Sequence, residues 1–396
     1  GEVIRKIAFV EGRYAAPFHG FLCNVQDSPA CSVWGMFGNN AKEWQHLQPE
    51  KCRHVLDILM PGASTHPLRQ QTDKIRFFFS GTPFGDFDEV PIEAGSEYLS
   101  KYSLLIHLGW NTMIDEDYDK LKTFVTDGGT LLIGLPQFSR HLKRDFLLEM
   151  NDLDLWNDGD LSELCGVRVY GAGEKYSGKW SCTGDFELDE NIVLSALPNE
   201  KDDEDAPCRL ADIELAGAEV VVDADSLKPL VTKYKYGKGY VYLLNTYAYA
   251  GHNKLQKLSA ALVKKFAAVN LPDCYVKTNS QEIFWNTRKI TENAYTISLL
   301  NTDWTGENSE ISVEICCPDG ISAKVSVKER QVLTAVFADG KLFIPSSPEV
   351  YIAVNGKKVT AHGTNKHLLK VISANGKIEF IELDFSDSPQ KEIFYK

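Results

Sequence analysis

Two buried-strand patterns separated by one helix constrain the fold of this chain more than any other feature. The runs YSLLIHLG at 102–109 and TLLIGLP at 130–136 are apolar almost throughout, which is typical of strands in a parallel sheet. Between them, Asp115 is placed to cap a helix that runs to Thr126 with apolar side chains at helical spacing. The following DGG ends that helix, because glycine accepts the left-handed conformation of a C-cap. The segment predicts a βαβ unit with a right-handed crossover.

Elements of the same kind flank this unit. KIAFVEG at 6–12 predicts a first buried strand, and 161–171 predicts a short helix followed by a strand. Residues 229–245 alternate around two glycines as a hairpin does, and 253–269 form an amphipathic helix. Between these elements we expect a β-rich insertion around 178–227, with an acidic run that forms a solvated loop. An α/β domain is therefore predicted over 1–272.

Beyond Tyr275 the helical period disappears. Short alternating runs, from IFWNTR at 283–288 to KIEFIELDF at 377–385, are separated by turn sequences such as PDG, ADG and ANGK. Several short strands at this spacing predict an all-β sandwich over 273–396. Two domains also agree with the length of 396 residues, since one core rarely grows beyond roughly 250–300 residues.

The order of these segments resembles the non-catalytic C-terminal part of glycoside hydrolase family 42 β-galactosidases. The matching segments are YSLLIHLGW, LKTFVTDGGTLLIGLP, LSELCGVRV, PLVTKYKYGKGYVYLLNT and AYTISLLNTDW, and together they cover roughly 100–305. The resemblance implies a flavodoxin-like (class I glutamine amidotransferase-like), mostly parallel trimerisation domain followed by a β-sandwich. It further implies a homo-oligomer and an upstream catalytic barrel, which in that family carries the catalytic carboxylates. The first 100 residues depart from the family pattern.

The sequence lacks the nucleophile that an active amidotransferase-like fold would carry. The position after TLLIG holds Leu135-Pro136-Gln137, and no GxSxG elbow occurs in the sequence. No GxGxxG follows the first strand, and no cysteine or histidine pair has zinc spacing, so neither a cofactor nor a metal site is predicted. Most of the nine cysteines are expected to be buried free thiols, and a bridge between Cys23 and Cys31 stays open.

One long segment after the first strand mixes aromatic rings with hydrogen-bonding groups. Ligands of open α/β sheets bind beyond the carboxyl ends of the strands, where this segment begins, and sugars require flat apolar faces beside polar groups. The loops that follow the strands at 102–109 and 130–136 are expected to reach the same edge. The predicted carbohydrate-binding residues are Arg13, Tyr14, His19, Trp34, Asn39, Trp44, His46, Trp110 and Asn111. The acid pairs Glu11 with Asp86 and Asp86 with Asp88 are further candidates that the sequence leaves unranked.

The net charge of −13 argues against nucleic-acid or anionic-membrane partners, which require a basic face. No apolar run approaches the roughly 20 residues that cross a bilayer. We therefore expect a soluble protein; a secreted or periplasmic location is open if a signal peptide has been removed.

Three hypotheses on function follow. The leading one is a non-catalytic accessory region of a glycoside hydrolase that supports oligomerisation and lines a sugar-binding cleft. The second is a stand-alone carbohydrate-active hydrolase with its site in the loop after the first strand. The third is a pure protein-interaction module, since the aromatic residues of that loop also suit an interface.

Overall fold

The computed structural model describes residues 2–3, 6–13, 55, 58, 81–140, 153–189, 191, 208–303, 310–355 and 358–393. By its internal contacts the chain divides into two compact units. The α/β unit comprises Lys6–Thr72 and Asp88–Phe266, and the β unit comprises Gly1–Arg5, Asp73–Phe87 and Ala267–Lys396. The β unit thus includes two segments from the first 87 residues, and the contiguous division at 272 stays a prediction.

The described part of the chain up to residue 268 contains twelve strands and four α-helices. The strands are β1 (Glu2–Val3), β2 (Ile7–Glu11), β3 (Asp88–Pro91), β4 (Leu104–His107), β5 (Thr130–Gly134), β6 (Asp160–Leu161), β7 (Val167–Lys175), β8 (Trp180–Cys182), β9 (Arg209–Leu215), β10 (Glu219–Ala224), β11 (Pro229–Tyr236) and β12 (Gly239–Leu244). The helices are α1 (Ser96–Leu99), α2 (Asp115–Thr126), α3 (Ser162–Cys165) and α4 (Gln256–Ala268).

The α/β unit is built on an eight-stranded mixed sheet with the order β3-β2-β4-β5-β12-β11-β10-β8. The five strands from β3 to β12 pair in parallel, whereas β12, β11, β10 and β8 pair antiparallel. The expected mostly parallel sheet is therefore parallel in one half only. Strands β8 and β10, which lie within 178–227, extend this main sheet. The strands β6, β7 and β9 form a small antiparallel sheet.

The predicted βαβ unit is confirmed, because β4 and β5 are parallel neighbours joined through α2. Gly128 has a φ of +117°, the left-handed conformation that ends the helix. The expectation that Asp115 caps α2 is wrong. Ile114 is the residue before the helix, and the Asp115 carboxylate accepts a hydrogen bond from Trp156 Nε1 at 3.0 Å. The helix still gains from acidic residues in its first turn, since they face the positive end of its dipole.

The described residues of the β unit beyond α4 contain strands and one short 3-10 turn. The strands are β13 (Tyr275–Lys277), β14 (Ile283–Thr291), β15 (Ala294–Asn301), β16 (Glu310–Cys316), β17 (Ser322–Lys328), β18 (Val332–Ala338), β19 (Lys341–Pro345), β20 (Tyr351–Asn355), β21 (Lys358–His362), β22 (Lys366–Ser373), β23 (Ile378–Asp384) and β24 (Gln390–Ile393).

These strands form a layered antiparallel structure. A seven-stranded sheet, β1-β14-β15-β18-β19-β22-β23, shares buried side chains with β13-β16-β17 in one cluster and with β20-β21-β24 in another. Ala335 and Phe337 belong to the first cluster and Val336 and Ala338 to the second, as the period of two requires of a strand buried on both faces. The expected sandwich is thus a central sheet covered on both sides.

Residues from the first 87 positions complete this β unit. Strand β1 pairs with β14, and Thr82 forms a β-bridge with Trp285. Trp285, only 1% exposed, donates a hydrogen bond from Nε1 to the Pro83 carbonyl at 3.0 Å. Gly85 has a φ of +97°, and a Cβ there would lie 2.6 Å from the Trp285 ring, so glycine is required at this contact.

Candidate functional site

The carboxyl ends of the parallel strands bring three loops together through side-chain amides. The Arg13 backbone N–H, two residues after β2, donates to Asn111 Oδ1 at 2.9 Å. Asn111 Nδ2 donates to the Gln137 carbonyl at 2.6 Å, and Gln137 Nε2 donates to the Gly109 carbonyl at 2.5 Å. The expectation that the loops after β4 and β5 reach the edge where β2 ends is therefore confirmed.

Gly12 permits this close approach. A Cβ at Gly12 would lie 2.1 Å from the Trp110 carbonyl oxygen and 2.6 Å from Asn111 Cβ. Since real Cβ atoms do not approach backbone so closely, any larger residue would push the first loop away from the second.

Arg13 is bound to a carboxylate of helix α2. Its Nε and Nη2 lie 2.7 and 2.9 Å from the two Asp117 carboxylate oxygens, and the Asp117 side chain is fully buried. The Lys120 ammonium lies 3.5 Å from the same carboxylate and donates to the Ile92 carbonyl. The hydrogen bond to Asp117 holds the pKa of Arg13 above its ordinary value. Two of the three guanidinium nitrogens are thus bonded to Asp117, and the third, Nη1, lies 3.9 Å from the Glu93 carboxylate, which fixes the chain where the long segment begins.

Trp110 and Asn111 are placed at the same edge but are buried. Trp110 is 8% exposed and stacks on Tyr249, with ring centroids 6.0 Å apart and planes inclined by 15°. Asn111 is 0% exposed, and both ends of its amide bond the neighbouring loops. The described contacts of both residues hold the loops in place, and their binding of sugar stays a prediction.

The other predicted sugar-binding residues lie outside the described part of the chain. They are Tyr14, His19, Trp34, Asn39, Trp44 and His46. Their role in binding a sugar stays a prediction.

A pair of glutamates at this edge was not found by sequence reasoning. Glu11 ends β2, and the Glu89 side chain of the neighbouring strand β3 is the carboxylate that acts on it most strongly, followed by Glu93. Burial, then Glu89 and Glu93, raise the pKa of Glu11 to about 7. A carboxyl group that titrates near neutral pH can donate or accept a proton in catalysis. The parallel register sets Phe9 opposite Glu89, and the side chain of Glu11 lies on the same face of the sheet as Phe9. The pair thus depends on how two strands align, which leaves no local signal in the sequence.

The acid pairs named from the sequence stay predictions, and the described contacts of Asp88 and Asp86 are with other residues. Asp88 accepts a hydrogen bond from the Tyr102 hydroxyl at 2.9 Å. Asp86 accepts one from the Thr287 backbone N–H at 3.3 Å, within the β unit. The carboxylate beside Glu11 is Glu89.

The raised pKa of Glu11 predicts a pH-dependent stability. A carboxyl group whose pKa is higher in the folded state contributes fully to the stability of the folded protein below its unfolded pKa near 4.5. This contribution is lost as the pH rises through about 7. Glu11→Gln keeps a donor to Glu89 and removes the charge. At pH 8 we expect it to raise the free energy of unfolding by about 1–2 kcal/mol, reduced for solvent screening because Glu11 is only half-buried.

Urea unfolding of both proteins at pH 5 and pH 8 checks this prediction. The difference in free energy of unfolding between the two proteins removes the contribution of titrating groups that do not interact with Glu11. The exposed Glu97→Gln provides the matched control and is expected to change nothing. Equal stability of the Glu11→Gln variant and the parent at both pH values would contradict the prediction.

His107, at the end of β4, is a second titratable group that the sequence did not single out. It is 0% exposed, and burial lowers its pKa to about 4. Its Nδ1 lies 3.3 Å from the Val10 carbonyl, which can only accept, so Nδ1 carries the proton. Among the described residues, Nε2 has no hydrogen-bond partner. His107 is thus a neutral imidazole at pH 7.

The edge holds no nucleophile after β5. Leu135–Phe138 form a 3-10 turn in which all four side chains are buried. Cys165 ends α3, and burial raises the pKa of its thiol well above the ordinary value. Within the described residues, no group of three or more His, Cys, Asp and Glu could hold a metal ion. No helix in the described ranges is long and apolar enough to cross a membrane.

No protein-family model matches the sequence, and neither does any curated protein. Among solved structures, the chain is similar to GH42 β-galactosidases. One, from G. stearothermophilus, is 14% identical with a TM-score of 0.43, over 85% of this chain and 41% of that one. Another, from Bacillus circulans sp. alkalophilus, is 14% identical with a TM-score of 0.43, over 85% of this chain and 42% of that one.

An α-L-fucosidase isoenzyme from Paenibacillus thiaminolyticus is 11% identical with a TM-score of 0.38, over 98% of this chain and 47% of that one. The chain therefore spans less than half the length of each of these three proteins. Because the identities are 11–14% and the TM-scores are below 0.5, these similarities do not assign the chain to a family.

Proposed function

We propose that the chain is a non-catalytic accessory region of a glycoside hydrolase, which supports oligomerisation and lines a sugar-binding cleft. Its α/β unit would then be a flavodoxin-like, amidotransferase-like domain that has no catalytic residue at the usual position. The observation that carries this proposal is the buried Leu135–Phe138 turn after β5, where such a domain would present its nucleophile.

The hydrogen bonds at the sheet edge support the same proposal. Asn111 and Gln137 use their amides to join three loops, and Asp117 binds the guanidinium of Arg13. Groups that are already paired in this way build a rigid platform. The aromatic and polar residues between Arg13 and Gln48 would present the sugar-facing surface on this platform, as their composition predicts.

A stand-alone hydrolase is the second candidate, and the Glu11–Glu89 pair favours it. A carboxyl group with a pKa near 7 can act as a general acid, and this one lies two residues before the long segment. In that case Glu11 would be a catalytic residue and the aromatic segment would bind the substrate.

The test combines three measurements on the purified chain. Hydrolysis of a panel of nitrophenyl glycosides is measured with the parent and with Glu11→Gln, oligomeric state by sedimentation equilibrium, and binding of galactose-containing oligosaccharides by titration calorimetry. The accessory role predicts an oligomer that binds sugar without turnover in either protein. Turnover that Glu11→Gln abolishes would establish the stand-alone enzyme. A monomer that binds no sugar and turns over no glycoside would overturn both.

A further inference from the structure

Two cysteines of the β unit lie opposite one another beside the pairing of β13 with β16. In that antiparallel pair, Tyr275 is opposite Cys316 and Val276 is opposite Ile315. Extending the register by one residue places Cys274 opposite Cys317. The Cys317 thiol is also the first cause that raises the pKa of Cys274, as a close neighbour does.

The backbone of Cys317 shows which kind of pair this is. Its N–H donates to the Ile321 carbonyl at 2.8 Å, on the side of β17, and so is directed away from Cys274. Residues that face each other without exchanging backbone hydrogen bonds have Cα atoms about 4.5 Å apart, with their side chains close. Disulfides span Cα separations of about 4.4–6.8 Å, and the usual spacing of such a pair lies within that range.

Both thiols face the same apolar cluster. Cys274 is 0% exposed and Cys317 is 8% exposed, and both pack with Val276 and Ile315. Cys316 lies one position along and is not part of that cluster, because successive side chains of a strand point to opposite faces. The geometry therefore distinguishes Cys317 from its neighbour as the partner of Cys274.

We propose that Cys274 and Cys317 form an oxidisable dithiol, which a low-molecular-weight disulfide such as oxidised glutathione converts to an intramolecular disulfide. The Cys317 thiol, the more exposed of the two, loses its proton to water. Its thiolate attacks one glutathione sulfur, breaks the S–S bond and releases the first glutathione thiolate. The Cys274 thiol then loses its proton, and its thiolate attacks the Cys317 sulfur and releases the second glutathione thiolate. Two protein thiols are oxidised, one glutathione disulfide is reduced, and the two protons end on the two glutathione thiols.

The order of attack follows from the surroundings of the two sulfurs. The Cys317 thiol, together with burial, raises the pKa of Cys274 above its ordinary value. Because the thiolate is the nucleophile, Cys274 is a poor first attacker and acts as the resolving thiol. Oxidation of the folded protein is accordingly slow at neutral pH and faster at alkaline pH.

The disulfide would hold the edge strand β13 in place. β13 is three residues long and pairs only with β16 in its sheet, so few hydrogen bonds hold it. A covalent bond beside its first residue closes a loop that contains β13, β14, β15 and β16. The reduced state leaves β13 able to open locally, and the oxidised state does not.

The experiment treats the full chain with oxidised glutathione at pH 8.5 and maps non-reduced peptides by mass spectrometry. We expect a peptide linking Cys274 to Cys317, lost in Cys317→Ser and retained in the matched control Cys316→Ser. The oxidised parent should melt about 5–15 °C above the same sample treated with dithiothreitol, and the amides of β13 should exchange hydrogen more slowly. That comparison within the parent protein needs no variant to fold.

Free thiols at both positions after prolonged oxidation, or a bridge from Cys274 to Cys316, would overturn the proposal. An unchanged melting temperature in a sample shown to carry the Cys274–Cys317 bridge would overturn the inferred stabilisation of β13.

Discussion

Asp117→Ala is expected to destabilise the α/β unit by about 3–5 kcal/mol, because it removes one partner of a buried ion pair. The Asp117 carboxylate is fully buried and accepts both hydrogen bonds of the Arg13 fork, while Lys120 lies 3.5 Å away. Without Asp117, two cationic groups that are each less than a fifth exposed lose their buried partner. Arg13 keeps only Glu93, at 3.9 Å, and Lys120 keeps Glu116, which is 67% exposed, at 3.0 Å. Urea unfolding at pH 7, followed by circular dichroism, measures the loss.

Asp119→Ala provides the matched control on the same helix. Its carboxylate is 73% exposed and lies 3.8 Å from the Lys122 ammonium, so its removal should change the free energy of unfolding by less than about 0.5 kcal/mol. If Asp117→Ala cost no more than this control, the ion pair would be dispensable. The Arg13 guanidinium would then be available to bind a sugar hydroxyl.

Those parts of the fold that depend on neighbours in sequence could be predicted from the sequence. The continuous apolar runs of β4 and β5, with an amphipathic helix and a glycine stop between them, specify a parallel βαβ unit because each signal is local. The hairpin of β11 and β12 and the strands of the β unit were predicted for the same reason.

The candidate site depends on contacts between residues far apart in sequence, which local patterns do not encode. Glu89 is the carboxylate that acts most strongly on Glu11, and the register of β2 with β3 places it there. In the same way, the sequence predicts Asn111 as a sugar ligand but does not show that its amide bonds two other loops, which position it and bury it.

The role of Asp115 shows a further limit. An aspartate before an apolar helix pattern favours an N-cap, but here the helix begins one residue earlier than a cap at Asp115 requires, and its carboxylate bonds Trp156 instead. A tertiary contact 41 positions away along the chain thus decided a feature that appears local.

Trp285→Ala is expected to destabilise the β unit by about 3–5 kcal/mol, the usual cost of truncating a buried aromatic residue. Trp285 is 1% exposed and bonds the Pro83 carbonyl, and its ring fills the space that Gly85 leaves open. The variant therefore loses core volume and also the attachment of residues 81–85 to β14.

Trp285→Phe should cost less, because the smaller phenyl ring keeps most of the packing. It loses the N–H bond to the Pro83 carbonyl and the contacts of the second indole ring. Phe380→Ala removes an aromatic ring that is 65% exposed on β23 and should have little effect. Differential scanning calorimetry of the three variants measures these costs. A Trp285→Ala protein as stable as Phe380→Ala would mean that residues 81–87 are not part of the β unit, and that the unit folds from residues 267–396 without them.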